Sequence, residues 1–312
     1  MPPLTPRLSA RLLMTPLVAA LVGMLALTLV VTLTPAQGAP SPARDEAGRR
    51  AASSPMFGGT VFRTDDESFA EGYDRVMRTY GGLDAIRMFY PGLPASWDRI
   101  RANVDRTPVV VSFKADLGDI VAGRHDEHFT RWFKQAPTNR PTHWSLWHEP
   151  EDDGVDAREY RRAWRHLKAL SRKADNPRLK STLILMCWTL DDASGRRWRT
   201  WYPGDATIHT LAFDCYNTGR KKGVYKRPAD ILRPVARVAR RTDNQWGIAE
   251  FGSTVIASDG GTVGRARWLR RYASYVKRHG GQFATYFDSH VGYDYRLHDS
   301  RSRRAWRSVV TR

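Results

Sequence analysis

The sequence predicts an α/β chain that closes as one (β/α)8 TIM barrel, and three observations carry that prediction. Short, largely apolar runs recur eight times between residue 56 and the C-terminus. Most are followed by an amphipathic helical stretch, the alternation that builds a parallel sheet with covering helices. The span 56–312 also matches the roughly 250 residues that such a barrel needs. A doubly wound nucleotide-binding sheet would instead require a glycine-rich first turn, and "FGGT" (57–60) is not GxGxxG.

The elements follow in order. The first strand is MFGGTVF (56–62), and Phe69, Tyr73, Val76, Met77 and Tyr80 then share one helical face. LDAIRMFY (83–90) is the second strand, with a short helix near SWDRIRANV. PVVVSFK (108–114) is the third, with a helix near DEHFTRWFKQ. THWSLWH (142–148) is the fourth, and the helix 157–173 follows. There Tyr160, Trp164 and Leu167 recur at helical spacing, so its many arginines form a solvated outer face. STLILMCW (181–188) is the fifth strand and TIHTLAFDCYN (207–217) the sixth, followed by the helix PADILRPVARVARR. WGIAEFGS (246–253) is the seventh, with the helix RARWLRRYASYVKRH. GQFATYFDS (281–289) is the eighth, and SRRAWRSVVTR ends the chain as a last helix. Runs that are apolar on both faces fit a sheet buried on both sides.

Residues 1–38 read as a targeting segment. Arg7 and Arg11 precede an apolar run from about Leu12 to Leu33, and Ala36-Gln37-Gly38 offers a cleavage site before Ala39. The run is long enough to remain instead as a membrane anchor. Either way the barrel is expected outside the cytoplasm, secreted or tethered. Residues 39–55, rich in Ala, Ser, Pro and Arg, read as a flexible linker.

The chain carries a net charge of +18. Without Arg7 and Arg11, 48 basic residues face 32 acidic ones, so the segment from Ala39 onward carries +16. Such a surface should adhere to anionic polymers such as cell-wall phosphates or acidic glycans. The basic residues are spread along the chain and not gathered in a stripe, which argues against a specific nucleic-acid partner. Cys187 and Cys215 fall near the ends of adjacent strands, so they are either bridged or two buried thiols.

In such a barrel chemistry sits at the C-terminal ends of the strands. Glu149, in LWHEP, ends strand four, and Glu250, in AEFGS, lies near the end of strand seven. They would face each other across the mouth. Two carboxyl groups across a cleft suit glycoside hydrolysis: one protonates the leaving oxygen, the other attacks the anomeric carbon or activates water. No metal is expected, because HExxH is absent and His143, His148 and Glu151 have no ligand spacing. GxSxG is absent as well.

"LWHEP" and "IAEFGS" resemble the acid/base and nucleophile motifs of the clan A glycoside hydrolases, which are retaining (β/α)8 enzymes. Many members have Asn before the strand-four glutamate. Here His148 stands there, which resembles family 26, the group of β-mannanases and related β-glycanases. The resemblance implies Glu149 as general acid/base and Glu250 as nucleophile, with Arg87 and Tyr216 supporting the nucleophile. Strand eight ends YFDS, where many members carry a tryptophan under the substrate sugar, and this leaves the sugar open.

Around that pair, His148 either orients Glu149 or binds a sugar hydroxyl, with a structural role as the plainer alternative. Trp188 either stacks on a sugar ring or packs in the core. Asp214 and Asp288 either bind hydroxyls or brace loops. Trp147 is expected to pack between barrel and helices. Asp152 and Asp153 line the cleft or cap a helix, and Trp201 and Tyr202 are further subsite candidates. The expected protein is a monomeric, cofactor-free retaining β-glycosidase, an endo-β-glycanase acting on mannan-like or other β-linked polysaccharide. The competing reading is a non-catalytic carbohydrate-binding barrel at the cell surface.

Overall fold

Eight strands pair in parallel and in sequence order, and the eighth closes on the first. The structure, a computed structural model, describes residues 54–63 and 66–311. The expected targeting segment and nearly all of the expected linker lie outside the described residues. The strands are β1 (Met56–Thr60), β2 (Ala85–Tyr90), β3 (Val109–Phe113), β4 (Thr142–Leu146), β5 (Leu179–Met186), β6 (Thr210–Asp214), β7 (Gln245–Phe251) and β8 (Phe283–Tyr286).

Strand alternation sorts the core into two zones. Val110, Ile184, Ala212, Ala249 and Phe283 pack together inside the barrel. Their neighbours Val109, Val111, Leu183, Leu185, Phe213 and Ile248 join the larger cluster between sheet and helices. Successive side chains point to opposite faces, so a strand buried on both sides is largely apolar, as VVVSF in β3 is, with Ser112 its one polar residue. Gly247 belongs to this interior by necessity, because a Cβ there would sit 2.6 Å from the Phe283 ring.

Covering helices are α1 (Phe69–Tyr80), α2 (Arg101–Val104), α3 (Leu117–Val121), α4 (Asp126–Gln135), α5 (Ala157–Arg172), α6 (Pro228–Thr242), α7 (Val263–Arg278) and α8 (Ser300–Val310). Local chemistry sets their ends. Ser68 and Glu71 close a capping box on α1, and Gly81 ends it at φ 74°. Asp156 caps α5, not Asp152 or Asp153. The crossover after β3 contains α3 as well as the expected α4, because Gly123 at φ 75° breaks the helical path between them. The connection from β5 to β6 runs through short 3₁₀ turns (187–190, 192–194, 198–200). Much of the tryptophan content is core: Trp144 stacks on Trp164 at 5.0 Å between centroids and Trp97 on Trp132 at 4.9 Å.

Candidate active site

Inward-facing residues at the C-terminal ends of β2, β3, β6 and β7 build the site. Arg87, fully buried, donates from Nη2 to Glu250 Oε1 at 3.0 Å. Its Nη1 donates to Ser112 Oγ at 2.9 Å and to the Met88 carbonyl at 2.8 Å. The guanidinium carbon lies 4.0 Å from the Phe89 ring centre. Tyr216 OH donates to the other oxygen, Glu250 Oε2, at 2.7 Å. Both oxygens of Glu250 are thus held from opposite sides.

Ser112 links this pair to His148, with Oγ 2.9 Å from Nδ1. Ser112 Oγ accepts from Arg87, and either its hydrogen or its second lone pair meets Nδ1, so the direction of this bond follows the tautomer of His148. Burial, then the charges of Arg87 and Lys114, push the His148 pKa well below its ordinary value, so the ring is neutral.

Glu149 follows β4 where the backbone is strained. Trp147 has φ 46° and Glu149 φ 52°, the left-handed region that bulky residues avoid. The surroundings hold this shape. Tyr160 OH lies 3.1 Å from both the Leu146 and Trp147 carbonyls, and Trp147 Nε1 donates to the Ala115 carbonyl at 2.7 Å. Glu149 N donates to the Ile184 carbonyl at 3.1 Å. Glu151 accepts from Met186 N and Thr189 Oγ1, at 2.9 and 2.8 Å, and so ties this turn to the end of β5.

The two carboxyl groups are tuned differently. Burial first, then the negative charges of Glu250, Glu151 and Asp152, push Glu149 up to about 8. Burial raises Glu250 too, but Arg87 and the Tyr216 hydroxyl pull against it. The first proton to leave the pair therefore comes from Glu250, and Glu149 keeps its proton near neutral pH. Burial and the charge of Glu250 keep Tyr216 protonated, as its donor role requires.

Asp214 is buried at the end of β6, beside Glu250 in the sheet register. Burial, then the charges of Glu250 and Glu149, raise its pKa well above the ordinary carboxylate value, which favours the protonated form. Neither of its oxygens has a hydrogen-bond partner among the described residues.

The remaining expected site residues scatter. Trp188 lies on the 3₁₀ turn after β5 and is 45% exposed. A disulfide joins its neighbour Cys187 to Cys215, with Cα atoms 5.0 Å apart. Asp288 is not brought to the carboxyl pair. Its oxygens accept from Tyr80 OH and Leu297 N, so it braces the loop after β8. Asp152 pairs with Arg196, and Asp153 with Lys114 at 2.5 Å. Trp201 packs edge-on against Tyr160, and Tyr202 bonds Asp205 and Asn244 near the start of β7, so neither opens onto the mouth.

Sequence reasoning missed Ser112, Lys114, Glu151 and Tyr295. Ser112 and Lys114 end the third apolar run as "VSFK", and alternation alone would have aimed both at the mouth. Tyr295 packs 4.8 Å from Tyr216 between ring centres, but its loop carries no periodic signal.

No family model matches the chain, and no curated protein does at a significant level. Solved structures do match. A GH26 β-mannanase from Bacteroides ovatus aligns over 82% of this chain and 88% of its own, with TM-score 0.55 and 13% identity. The fold is the (β/α)8 barrel that these structures share. A GH26 protein from Muricauda sp. gives TM-score 0.57 at 14% identity, covering 84% of this chain and 86% of that one. A GH5 xyloglucan-specific endo-β-1,4-glucanase gives 0.57 at 12% identity, covering 82% and 97%. At these identities the likeness establishes the barrel, so the chemistry has to be argued from this chain's own residues.

Proposed function

We propose that this chain is a secreted retaining β-glycosidase, an endo-β-glycanase acting on mannan-like or other β-linked polysaccharide. The unequal tuning of Glu149 and Glu250 carries the reading. Glu250, held ionised by Arg87 and Tyr216, attacks the anomeric carbon as the glycosidic bond breaks. Glu149, protonated through burial, gives its proton to the leaving oxygen. It then takes a proton from the water that releases the sugar from Glu250. His148 Nε2 and the unpartnered carboxyl of Asp214 are proposed to bind sugar hydroxyls, since a buried polar group without a protein partner fits a ligand or water. Exposed Trp188 and Tyr293 offer ring faces for further sugars. The targeting segment and the disulfide support an oxidising, extracytoplasmic location.

The test is a reducing-sugar screen against β-mannan, β-glucan and xylan, with Glu250→Ala and Glu149→Ala in parallel. Turnover lost in both variants supports the two-carboxylate mechanism. Oligosaccharide binding without turnover on any glycan would replace it with the non-catalytic barrel.

A further inference from the structure

The opposite end of the barrel holds a second concavity, of about 900 Å³. Residues at the N-terminal ends of the strands line it: Met56, Asp84, Pro108, Pro141, Lys180, Gln245 and Gln282. Six cationic residues line it too, Arg106, Arg140, Arg178, Lys180, Arg270 and Lys277, against the single acid Asp84. Burial raises the Asp84 pKa while the Phe57 N–H that its carboxylate accepts opposes the rise, and one carboxylate does not balance six cations. His143, in the floor, is pushed down to about 3 by burial, then by His209 and Lys180, and adds no charge. Arg140, Arg178, Arg270 and Lys277 are exposed and have no carboxylate partner among the described residues.

A second hollow, of about 420 Å³, lies between α7 and α8 and is lined by Val263, Ala266, Arg267, Arg270, Arg301 and Arg304. It contains no acid and shares Arg270 with the bowl. Helix dipoles account for cations in last turns, such as Arg172 of α5 and Lys277 of α7. They do not account for Arg140 and Arg178, which sit past the helix ends on adjacent loops just before β4 and β5.

We propose that this face is a binding site for a phosphate-bearing polyanion, a chain extended enough to run from the bowl through Arg270 into the α7–α8 hollow. Two joined basic hollows ask for a polymer and not for one small anion. Arginine forks pair with phosphate oxygens two at a time. A polyphosphate or polyol-phosphate chain carries charge on every backbone phosphorus, whereas a uronic acid polymer carries one per ring, so phosphate fits the cation density better. Single-stranded nucleic acid binds through exposed aromatic stacking platforms, and Phe57 and His143, the aromatic rings of the lining, are buried. The site is independent of sugar turnover at the mouth.

The experiment titrates the purified protein with inorganic polyphosphate, with polygalacturonate and duplex DNA as comparators at equal charge. Tight polyphosphate binding is expected, weakening by on the order of 10³-fold between about 50 and about 200 mM salt if some six cations are engaged. Arg140→Glu with Arg178→Glu should weaken it at least tenfold, and Arg140→Gln with Arg178→Gln by less. Both pairs should keep the wild-type melting temperature. Arg162→Glu with Arg165→Glu, an equal charge change on the exposed face of α5, should leave binding within a few-fold. An equal loss in that control would overturn the site in favour of whole-molecule charge. Tighter binding of polygalacturonate or DNA through the same arginines would overturn the phosphate assignment.

Discussion

Both ends of the barrel contain left-handed backbone at residues other than glycine, and the difference between them singles out the candidate active site. At the N-terminal end it falls on Asp175 after α5 and Asp243 after α6, with φ 47° and 54°. Aspartate tolerates this region, and Asp243 is a helix C-cap, so little strain is stored. At the C-terminal end it falls on Trp147 and Glu149, and on Thr262 before α7, none of which has such tolerance. Among the described residues the orphaned atoms of ionisable side chains, Arg87 Nε, Glu151 Oε2 and both oxygens of Asp214, lie at the mouth, whereas the orphaned hydroxyl and indole atoms of Thr142, Trp144, Ser145, Trp164 and Thr254 are spread over β4, α5 and the segment after β7. Strain persists where the surrounding structure enforces it, and the mouth is where it meets unpartnered ionisable groups.

The comparison is tested most severely at the carboxyl pair. Glu250→Ala should lower kcat/KM on the glycan found by screening on the order of 10⁴-fold, as loss of a central catalytic group does. Glu149→Gln should cost about 10²- to 10⁴-fold. Activity of the wild type should fall as pH rises through about 8, where Glu149 loses its proton. Stability carries the same signature. The folded Glu149 holds its proton above the ordinary value of 4.5, so the native state binds more protons than the unfolded chain between 4.5 and about 8. The melting temperature should therefore drift down across that window, and Glu149→Gln should flatten the drift.

Arg87→Met removes the counter-charge of a buried carboxylate and should destabilise the fold by about 3–5 kcal/mol in a denaturant titration. It should also move the acid limb of the activity profile to higher pH, because Arg87 holds Glu250 down. A smaller effect is expected from Tyr160→Phe, which frees the Leu146 and Trp147 carbonyls: about 1–3 kcal/mol, with a lower kcat as the Glu149 turn loosens. Asp243→Gly at the relaxed end should change stability by less than about 1 kcal/mol, and activity not at all. A large loss there would erase the distinction between the two ends.

How far the sequence could be read depended on the range of the signal. Apolar runs and helical periodicity are local, so β3 and α5 were legible nearly to the residue. The ends of strands were less so: Trp188 closes an apolar run but lies on the turn beyond β5, because the disulfide and the 3₁₀ turn bend the chain there. α3 was missed because five residues are too few to show a period. Glu149 and Glu250 were legible because each ends a strand whose place in the barrel follows from counting.

The sequence by itself determined the barrel, the order of its strands and the two carboxylates at its mouth, because hydrophobic period and strand count need no knowledge of distant neighbours. Only the tertiary structure decided that Arg87, Ser112 and His148 form one hydrogen-bonded line, that Asp214 is left without a partner and that Asp288 is spent on a loop. It alone gathered cations from separate loops at the far end. Those outcomes depend on register across paired strands and on closure of β8 against β1. Both are contacts between residues far apart in the chain, which no local pattern encodes.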